Sequence, residues 1–274
     1  MKRLKITMFL LILFLTACSS VPVRDGLYDF GAFLVDGRRM DLSQIIESVG
    51  EINTETRFKS ENGEIIRHEN HGTGLVLPGN LVFTAAHVVM VNKFTQNVFT
   101  PIGIATVVIS DQRVDSESFL VEPDGNRIPL TPLLISSADD VAILSMPFQT
   151  EKIRVFPYGL GNSDDLRIGN MVYVVGRPMN QEANVREGIV SGLKGNALTR
   201  EIYENPDNLF MFTSGLVSGD SGSPIIAMRD GKYEIVGIAQ GVISTESQFG
   251  WGIRINRVKE LMRSLKMHSA KRHS

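Results

Sequence analysis

Three short segments carry residue types that together could perform acyl transfer. His87 follows an apolar run, Asp140 directly precedes another, and Ser221 stands within Gly-Asp-Ser-Gly at 219–222. A serine hydroxyl is a weak nucleophile at neutral pH and needs an adjacent base, which an imidazole can provide. A buried carboxylate would fix the imidazole tautomer and stabilise the imidazolium. Each residue alone is uninformative, but all three in this order predict Ser221 as nucleophile, His87 as general base and Asp140 as its orienting group.

The glycine before the candidate nucleophile fits the same chemistry. Gly219 has no side chain, so the loop can turn its amides toward one point. We expect the backbone N–H groups of Gly219 and Ser221 to form an oxyanion hole. Losing one such donor typically costs roughly 3 kcal/mol of transition-state stabilisation.

The elements that must position these residues are mostly short β-strands separated by Gly, Pro, Asn and Asp. Many short strands of this kind predict an all-β barrel or sandwich, and 156–159 is the best candidate for a linker between two halves. Two segments, 41–49 and 257–266, have helical apolar spacing instead. The predicted strands are 48–54, 74–77, 81–85, 103–110, 118–121, 142–146, 171–176, 185–192, 209–213, 224–228, 235–242 and 250–255.

Composition bounds the class of protein. The 274 residues are 43% hydrophobic and 21% charged, which is ordinary for a globular protein with one large β domain or two smaller ones. The formal charge of -2 gives no electrostatic reason to expect a nucleic-acid partner. Cys18 is the single cysteine, so no intrachain disulfide can form. We expect no cofactor and no metal, because His68 and His71 have no further ligand cluster in the sequence and fit a polar loop better.

The N-terminal residues predict a secretory signal. Lys2, Arg3 and Lys5 precede an apolar run at 6–15 that is too short to span a bilayer as a helix. Leu-Thr-Ala-Cys at 15–18 resembles the lipobox of bacterial lipoproteins, and an ordinary cleaved signal with a chance cysteine is the alternative. The resemblance implies lipidation of Cys18 and a stable membrane anchor in the bacterial cell envelope. Ser19 matches the pattern for retention at the periplasmic face of the outer membrane.

The catalytic segments resemble those of chymotrypsin-like serine proteases, and especially the bacterial HtrA/Deg branch. The likeness covers about 45–260 and includes Gly-Thr-Gly-Leu-Val at 72–76, the stretch 160–176, and Glu-Gly-Ile-Val-Ser-Gly at 187–192. It implies an all-β fold of two six-stranded antiparallel β-barrels, about 45–155 and 160–255, with the active site between them and a C-terminal α-helix at about 257–266. In that family the aspartate directly precedes a short apolar strand, which selects Asp140 over Asp139.

The resemblance also divides the chain and limits what can be inferred. We expect a lipoprotein signal at 1–17, a tether at 18–40 and a trypsin-like protease domain at 41–267; a trimer contact or a strand covering the barrel are alternatives for 19–40. Asp220 and Ser223 stand where the HtrA branch usually has Asn and Gly, and both substitutions occur in related serine proteases. We expect no PDZ domain after the terminal helix, so a trimer is expected only if assembly follows the HtrA pattern.

Substrate preference follows from the positions that match the family's specificity pocket. Gly215, six residues before the nucleophile, would form the pocket floor. Ala239, Gln240 and Gly241 would form one wall and Gly250 the far side, and none of these residues carries a charge. We therefore expect small or medium apolar side chains, such as Val, Ala or Leu, on the substrate.

Two other functions compete with a serine endopeptidase that cleaves protein or peptide substrates. An α/β-hydrolase lipase or esterase needs Gly-x-Ser-x-Gly and the order Ser, Asp or Glu, His. Here Ser223 breaks that motif and His87 comes first. A catalytically silent lipoprotein that keeps the protease fold as a binding module is the second alternative, since fold alone does not prove function.

Overall fold

A computed structural model describes residues 25–28, 42–100, 103–178, 181–243 and 246–271. Fifteen strands and four α-helices lie in these ranges. The strands are β1 Val49–Lys59, β2 Ile65–Leu77, β3 Leu81–Ala85, β4 Phe94–Thr100, β5 Gly103–Ser110, β6 Gln112–Val121, β7 Arg127–Ser136, β8 Val141–Ser145, β9 Gly159–Leu160, β10 Met171–Gly176, β11 Asn184–Gly192, β12 Leu209–Phe212, β13 Pro224–Arg229, β14 Lys232–Ile243 and β15 Glu246–Arg254. The helices are α1 Ser43–Ile46, α2 Ala86–Val89, α3 Ala197–Ile202 and α4 Ile255–Lys271.

Two antiparallel barrels of six strands each dominate the fold, which confirms the predicted fold class. Barrel one closes in the order β1-β2-β3-β8-β7-β6. Barrel two runs β13-β10-β11-β12-β15-β14 and closes through the β13–β14 pairing, with β9 added in parallel at the edge. In β1, buried and less buried residues alternate, as expected of a strand with one face toward a barrel interior.

Three apolar clusters form the core of the protein. One fills barrel one around Ile52 and Leu120, and a second fills barrel two around Val174 and Phe210. The third lies between the barrels, where Phe83 from one side meets residues such as Ile238 from the other. Each fully buried side chain of this size contributes roughly 1.5–3 kcal/mol relative to exposure. The cleft that carries the candidate site is therefore fixed by a core shared between the barrels.

The predicted linker belongs to this shared core. Phe156 is fully buried there, and its N–H donates to the carbonyl of Val76 in β2 at 2.9 Å. The predicted terminal helix is confirmed and is longer than expected, since α4 spans Ile255–Lys271. Its apolar face, including Ile255 and Val258, is buried in the core shared by the two barrels.

Some strand and helix predictions need correction. The predicted strand at 103–110 exists as β5, but it pairs only with β4 in a separate two-stranded sheet. The sixth strand of barrel one is instead β7, which the sequence reading missed because Pro129 and Pro132 lie in it. The helix predicted over 41–49 is limited to the four residues of α1, because Val49 already begins β1.

The described part of the predicted tether, 25–28, packs against barrel two. Tyr28 is 1% exposed, and its hydroxyl donates to Glu234 Oε2 at 2.9 Å. The guanidinium of Arg229 stacks on its ring at 4.0 Å from the centroid. The rest of the predicted tether, 18–24 and 29–40, lies outside the described residues. The signal segment and Cys18 lie outside the described residues, and no helix within the described ranges is both long and apolar enough to cross a bilayer.

Candidate active site

Strand register brings His87 and Asp140 together. In the antiparallel pair of β3 and β8, Ala85 lies opposite Val141, so the end of one strand lies beside the start of the other. The pairing continues for one more step, as Ala86 N–H donates to the carbonyl of Asp140 at 3.1 Å. His87 then follows in the short helix α2, and Asp140 precedes β8 with a positive φ of 51°. Aspartate tolerates this left-handed conformation better than most residues, which suits it to the tight turn here.

The Asp140 carboxylate binds His87 through both oxygens. Oδ1 accepts the backbone N–H of His87 at 2.8 Å, and Oδ2 lies 2.8 Å from the ring nitrogen Nδ1. Because an ionised carboxylate only accepts, Nδ1 must carry the proton and Nε2 is left with its lone pair. The Asp140 side chain is 10% exposed, whereas that of His87 is 46% exposed. The buried carboxylate therefore fixes the ring through Nδ1, and the half-exposed ring keeps Nε2 as its basic nitrogen.

A second contact reaches the same carboxylate oxygen from barrel two. The hydroxyl of Tyr203, at the end of α3, donates to Asp140 Oδ2 at 3.5 Å, which is a long hydrogen bond. The same hydroxyl accepts the indole N–H of Trp251 at 3.0 Å. Burial first, and then the negative charge of Asp140, raise the pKa of Tyr203, so its hydroxyl stays protonated and available as a donor. Trp251 therefore has a polar contact in addition to its packing.

The neighbouring aspartate has a different set of partners. Asp139 accepts a two-pronged ion pair from Arg257 of α4, at 3.1 and 3.0 Å, together with a hydrogen bond from Asn208 at 3.0 Å. Burial alone would raise the pKa of Asp139, but the hydrogen bonds from Arg257, Ser136 and Asn208 outweigh it and lower that pKa. Asp139 has no recorded contact with His87, and Asp140 is the acid next to the imidazole.

The nucleophile loop, residues 215–221, supplies Ser221 from between β12 and β13 without any helix or strand of its own. Gly219 has a φ of 94°, a conformation that glycine adopts without a steric penalty. Within the described part of the chain, neither Gly219 N–H nor Ser221 N–H donates a hydrogen bond. Both donors are therefore available to an oxyanion in the cleft.

A threonine of barrel one fastens this loop across the cleft. Thr73 is fully buried in β2, and its hydroxyl donates to the carbonyl of Gly219 at 2.8 Å. Its N–H donates to the carbonyl of Ser221 at 2.8 Å, and its hydroxyl also accepts the N–H of Arg177 at 3.0 Å. Gly72 must be a glycine at this approach, because a Cβ there would lie 2.8 Å from the carbonyl oxygen of Ser221.

The Ser221 hydroxyl points toward barrel two. Its Oγ donates to the carbonyl of Gln240 at 3.5 Å, and across the residues described no hydrogen bond joins it to the ring of His87. Catalytic hydrogen bonds are often long or absent without substrate and tighten when substrate binds. Asp140 therefore binds the imidazole, whereas the serine hydroxyl bonds to barrel two and not to the base.

A small cavity of about 140 Å³ opens beside Ser221. Of the five predicted pocket residues, Gly241 lies on its wall, where a Cβ would stand 2.8 Å from the ring of Trp251. Gly250 lies behind Leu216, a lining residue that the sequence reading did not name. The cavity is lined by Leu216, Val217, Ser218, Asp220, Ser221 and Gly241.

The other three predicted pocket residues do not line this cavity. The Gln240 side chain is buried between the barrels, with Nε2 donating to the carbonyls of Asp139 at 2.7 Å and Asp140 at 3.1 Å. Ala239 bonds through its backbone to Gly222, at 2.8 Å, in the barrel-two core. Gly215 contributes its carbonyl to the base of the nucleophile loop. Gln240 thus braces the aspartate turn instead of lining the cavity.

Other polar clusters carry no comparable chemistry. His71 is paired with Glu51 at 2.8 Å, while the His68 ring packs on Phe94 with centroids 5.4 Å apart. Among the residues with described positions, no group of three or more His, Cys, Asp or Glu side chains is arranged to hold a metal ion. A larger groove of about 580 Å³ lies on barrel one between β6 and β7 and contains none of the predicted site residues.

Sequence reasoning missed several residues around the site, namely Thr73, Arg186, Tyr203, Leu216 and Arg257. Thr73 lies in the segment Gly-Thr-Gly-Leu-Val at 72–76 that the resemblance uses, but that pattern does not indicate its hydrogen bond to Gly219. The remaining contacts join segments that are distant along the chain.

Comparison with known proteins gives the site its family context. Protease Do-like 5, chloroplastic, of Arabidopsis thaliana is 29% identical over 168 residues, covering 61% of this chain and 46% of that protein. Periplasmic serine endoprotease DegP of Salmonella typhimurium is 27% identical over 161 residues, covering 57% of this chain and 32% of that protein. The chain therefore spans less than half the length of these relatives.

Solved structures share the fold at low sequence identity. A structure of the HtrA-type protease AlgW with decapeptide has a TM-score of 0.58 and 18% identity, covering 83% of this chain and 66% of that one. A crystal structure of Deg5 has a TM-score of 0.51 and 20% identity, covering 80% of this chain and 88% of that one. The family model for the trypsin-like peptidase domain matches residues 72–238, which is more than half of the chain. On this match, together with the two-barrel fold, the chain belongs to the trypsin-like peptidase family.

Proposed function

We propose that this chain is a serine endopeptidase that hydrolyses peptide bonds in proteins through His87, Asp140 and Ser221. In acylation, His87 Nε2 takes the Ser221 proton as Oγ attacks the scissile carbonyl. The negative oxygen of the tetrahedral intermediate is bound by the N–H groups of Gly219 and Ser221. The imidazolium then gives its proton to the leaving amine, and water hydrolyses the acyl-enzyme by the same steps in reverse.

The main support for this proposal is that the Asp140 carboxylate binds His87 through two hydrogen bonds. Hydrogen bonds of 2.8 Å to both the ring and the backbone N–H fix the imidazole in the tautomer that a general base needs. A purely structural histidine is usually buried, yet this side chain is 46% exposed, which leaves it accessible to a substrate. Before acylation, the Ser221 hydroxyl has to turn from the carbonyl of Gln240 toward Nε2.

The direct test is cleavage of an unfolded protein such as casein by the purified chain. We expect measurable turnover that is abolished in Ser221→Ala and His87→Ala. Trypsin-like proteases lose activity by several orders of magnitude when a member of the triad is removed. Equal turnover by wild type and Ser221→Ala would contradict the proposal.

We propose a preference for small or medium apolar side chains on the substrate. Leu216 and Val217 supply apolar surface in the 140 Å³ cavity, and Leu216 packs against Gly250. Asp220 also lines this cavity, but its carboxylate is 1% exposed and already paired with Arg186, so it is not free to pair with a substrate lysine or arginine. A peptide library should give cleavage chiefly after Val, Ala or Leu, and cleavage chiefly after Lys or Arg would contradict this preference.

We also propose that the protein acts in the bacterial cell envelope as a quality-control or processing protease, anchored through a lipidated Cys18. The sequence around Cys18 supports the anchor, and the DegP relative, a periplasmic serine endoprotease, supports the envelope. Ser19 favours the periplasmic face of the outer membrane. Metabolic labelling with a fatty acid should mark the wild type and not Cys18→Ser, which should fractionate away from membranes.

A trimer is a further proposal, tested by light scattering of the unlipidated protein.

A further inference from the structure

A buried carboxylate lies directly beside the candidate nucleophile and takes no part in the proposed proton transfers. The Asp220 side chain is 1% exposed. Its Oδ2 accepts the N–H of Val217 at 2.7 Å, inside the nucleophile loop. Its Oδ1 is paired with the guanidinium of Arg186, which projects from β11 of barrel two. An unpaired carboxylate would be costly at this depth, so the loop depends on its cationic partner.

Arg186 contacts both ends of the nucleophile loop. One terminal nitrogen pairs with Asp220, near the end of the loop, and the other donates to the carbonyl of Gly215 at its start, at 3.3 Å. The planar guanidinium has its donors in a fixed fork, so it can make both contacts at once. Gly176 of β10 lies against the pair, where a Cβ would collide with Asp220 Oδ1. The pair thus ties the loop to two strands of barrel two.

We propose that Arg186 is a positioning residue that holds the Gly219 and Ser221 N–H groups in place for the oxyanion. This inference rests on the proposed endopeptidase function. The loop has no helix or strand, and Gly215 and Gly219 both have positive φ, at 53° and 94°. Glycines leave the unfastened loop many conformations. The Arg186–Asp220 pair restricts that freedom before substrate arrives, and preorganised donors need no rearrangement during the reaction.

The expected signature is a loss in kcat with little change in KM. Oxyanion hydrogen bonds strengthen in the transition state, so misplacing them affects the chemical step more than substrate binding. A displacement of about 1 Å in a catalytic group can cost on the order of 100-fold. Arg186→Met is therefore expected to lower kcat about 100-fold while KM for a peptide substrate changes less than about three-fold.

Arg229→Met provides the matched control. Arg229 is a similarly buried arginine of barrel two that is paired with Asp165 at 2.9 Å, but its partners lie with Tyr28, away from the nucleophile loop. Both variants lose a partly buried ion pair, so both are expected to lower the melting temperature. Only Arg186→Met should lower kcat, which separates positioning from general destabilisation.

A double-mutant cycle tests whether Arg186 acts through Asp220. Arg186→Gln leaves a buried carboxylate unpaired and Asp220→Asn leaves the guanidinium unpaired, so each single variant should lose at least ten-fold in kcat. In Arg186→Gln/Asp220→Asn the two amides can hydrogen-bond, and kcat should recover at least five-fold over the worse single variant. This cycle also serves if Arg186→Met does not fold.

Different results would overturn the positioning role of Arg186 and the proposed endopeptidase function on which it rests. An active wild type with unchanged kcat in Arg186→Met, or with losses in the cycle that simply multiply, would overturn the role of Arg186 and leave the endopeptidase intact. A wild type that does not cleave casein or react with a fluorophosphonate would instead overturn the proposed function. Recovery in the double variant would support positioning through the pair.

Discussion

The two halves of the candidate site are built in different ways. In barrel one, His87 and Asp140 lie at the paired ends of β3 and β8, so the strand register itself brings base and acid together. In barrel two, Ser221 lies on a loop without regular structure, held by side chains such as Thr73 and Asp220. The acid–base half is therefore secured by a backbone ladder, whereas the nucleophile half depends on a few polar contacts that single substitutions can remove.

Among the substitutions that leave His87 and Ser221 in place, the largest effect is expected in the barrel-one half, from Asp140→Asn. The side chain of asparagine has one oxygen that accepts and one NH₂ group that donates. It therefore cannot replace both carboxylate oxygens that accept from the ring and the backbone of His87, and the ring is left in the wrong tautomer. By analogy with triads generally, kcat/KM should fall about 10⁴-fold. Steady-state kinetics on a peptide substrate measure this loss. Asp139→Asn is the neighbour control and should cost less than ten-fold; the reverse ranking would move the catalytic role to Asp139.

The hydrogen bonds by which Thr73 holds the nucleophile loop are tested by Thr73→Val. Valine keeps the shape of the side chain but leaves the Gly219 carbonyl and the Arg177 N–H without their buried partner. Leaving such groups unsatisfied costs about 1–3 kcal/mol each. We expect kcat to fall about 10- to 100-fold and the free energy of unfolding to fall by about 2 kcal/mol. Thr73→Ser keeps the hydroxyl and should retain most activity, so equal losses in both variants would contradict the proposed contact.

The support of the acid turn by α4 is tested by Arg257→Met. Loss of the ion pair with Asp139 should lower the free energy of unfolding by about 2 kcal/mol, with less than a ten-fold change in kcat. Since the pKa of Asp139 is lowered in the folded protein, the wild-type advantage is fully present above about pH 4, the unfolded value. It should disappear as pH falls further, through the folded pKa. Urea unfolding of both proteins at pH 7 and pH 3 measures this; a constant difference would contradict the ion-pair account.

The smallest effect is expected from Tyr203→Phe. Its hydroxyl donates a long hydrogen bond to Asp140 Oδ2, so the substitution removes one of the contacts that fix the carboxylate beside His87. The value of kcat/KM for a peptide substrate should fall a few-fold at neutral pH. Tyr158→Phe, in an aromatic cluster elsewhere, controls for the change in side chain. An unchanged kcat/KM would reduce Tyr203 to a packing residue.

Features of the fold and the site that depend on local sequence could be predicted, whereas contacts between distant segments could not. All six strands of barrel two carry short apolar runs rich in β-branched or aromatic residues, which the pattern locates. In barrel one the pattern fails at β7, where two prolines hide a strand, and it truncates β2, whose first half is polar and partly exposed. His87, Asp140 and Ser221 are visible as motifs because each is embedded in a local pattern.

The partners that hold these residues could not be read from the sequence. Thr73 meets Gly219 across 146 positions of sequence, and Arg257 meets Asp139 across 118. No local propensity encodes such a pairing, since it depends on how the two barrels dock. Gln240 illustrates the limit, because its position was predicted near the site while its side chain turns away from the cavity to brace the aspartate turn.

The central claim is that the two halves meet to activate Ser221, and covalent labelling tests it most directly. The folded protein without its signal segment would be reacted with a fluorophosphonate, and the adduct mapped by mass spectrometry in wild type, His87→Ala and Ser221→Ala. The account predicts a single adduct on Ser221 that forms at least about 10³-fold more slowly without His87. Labelling at another residue, or labelling of Ser221 at an unchanged rate in His87→Ala, would contradict it.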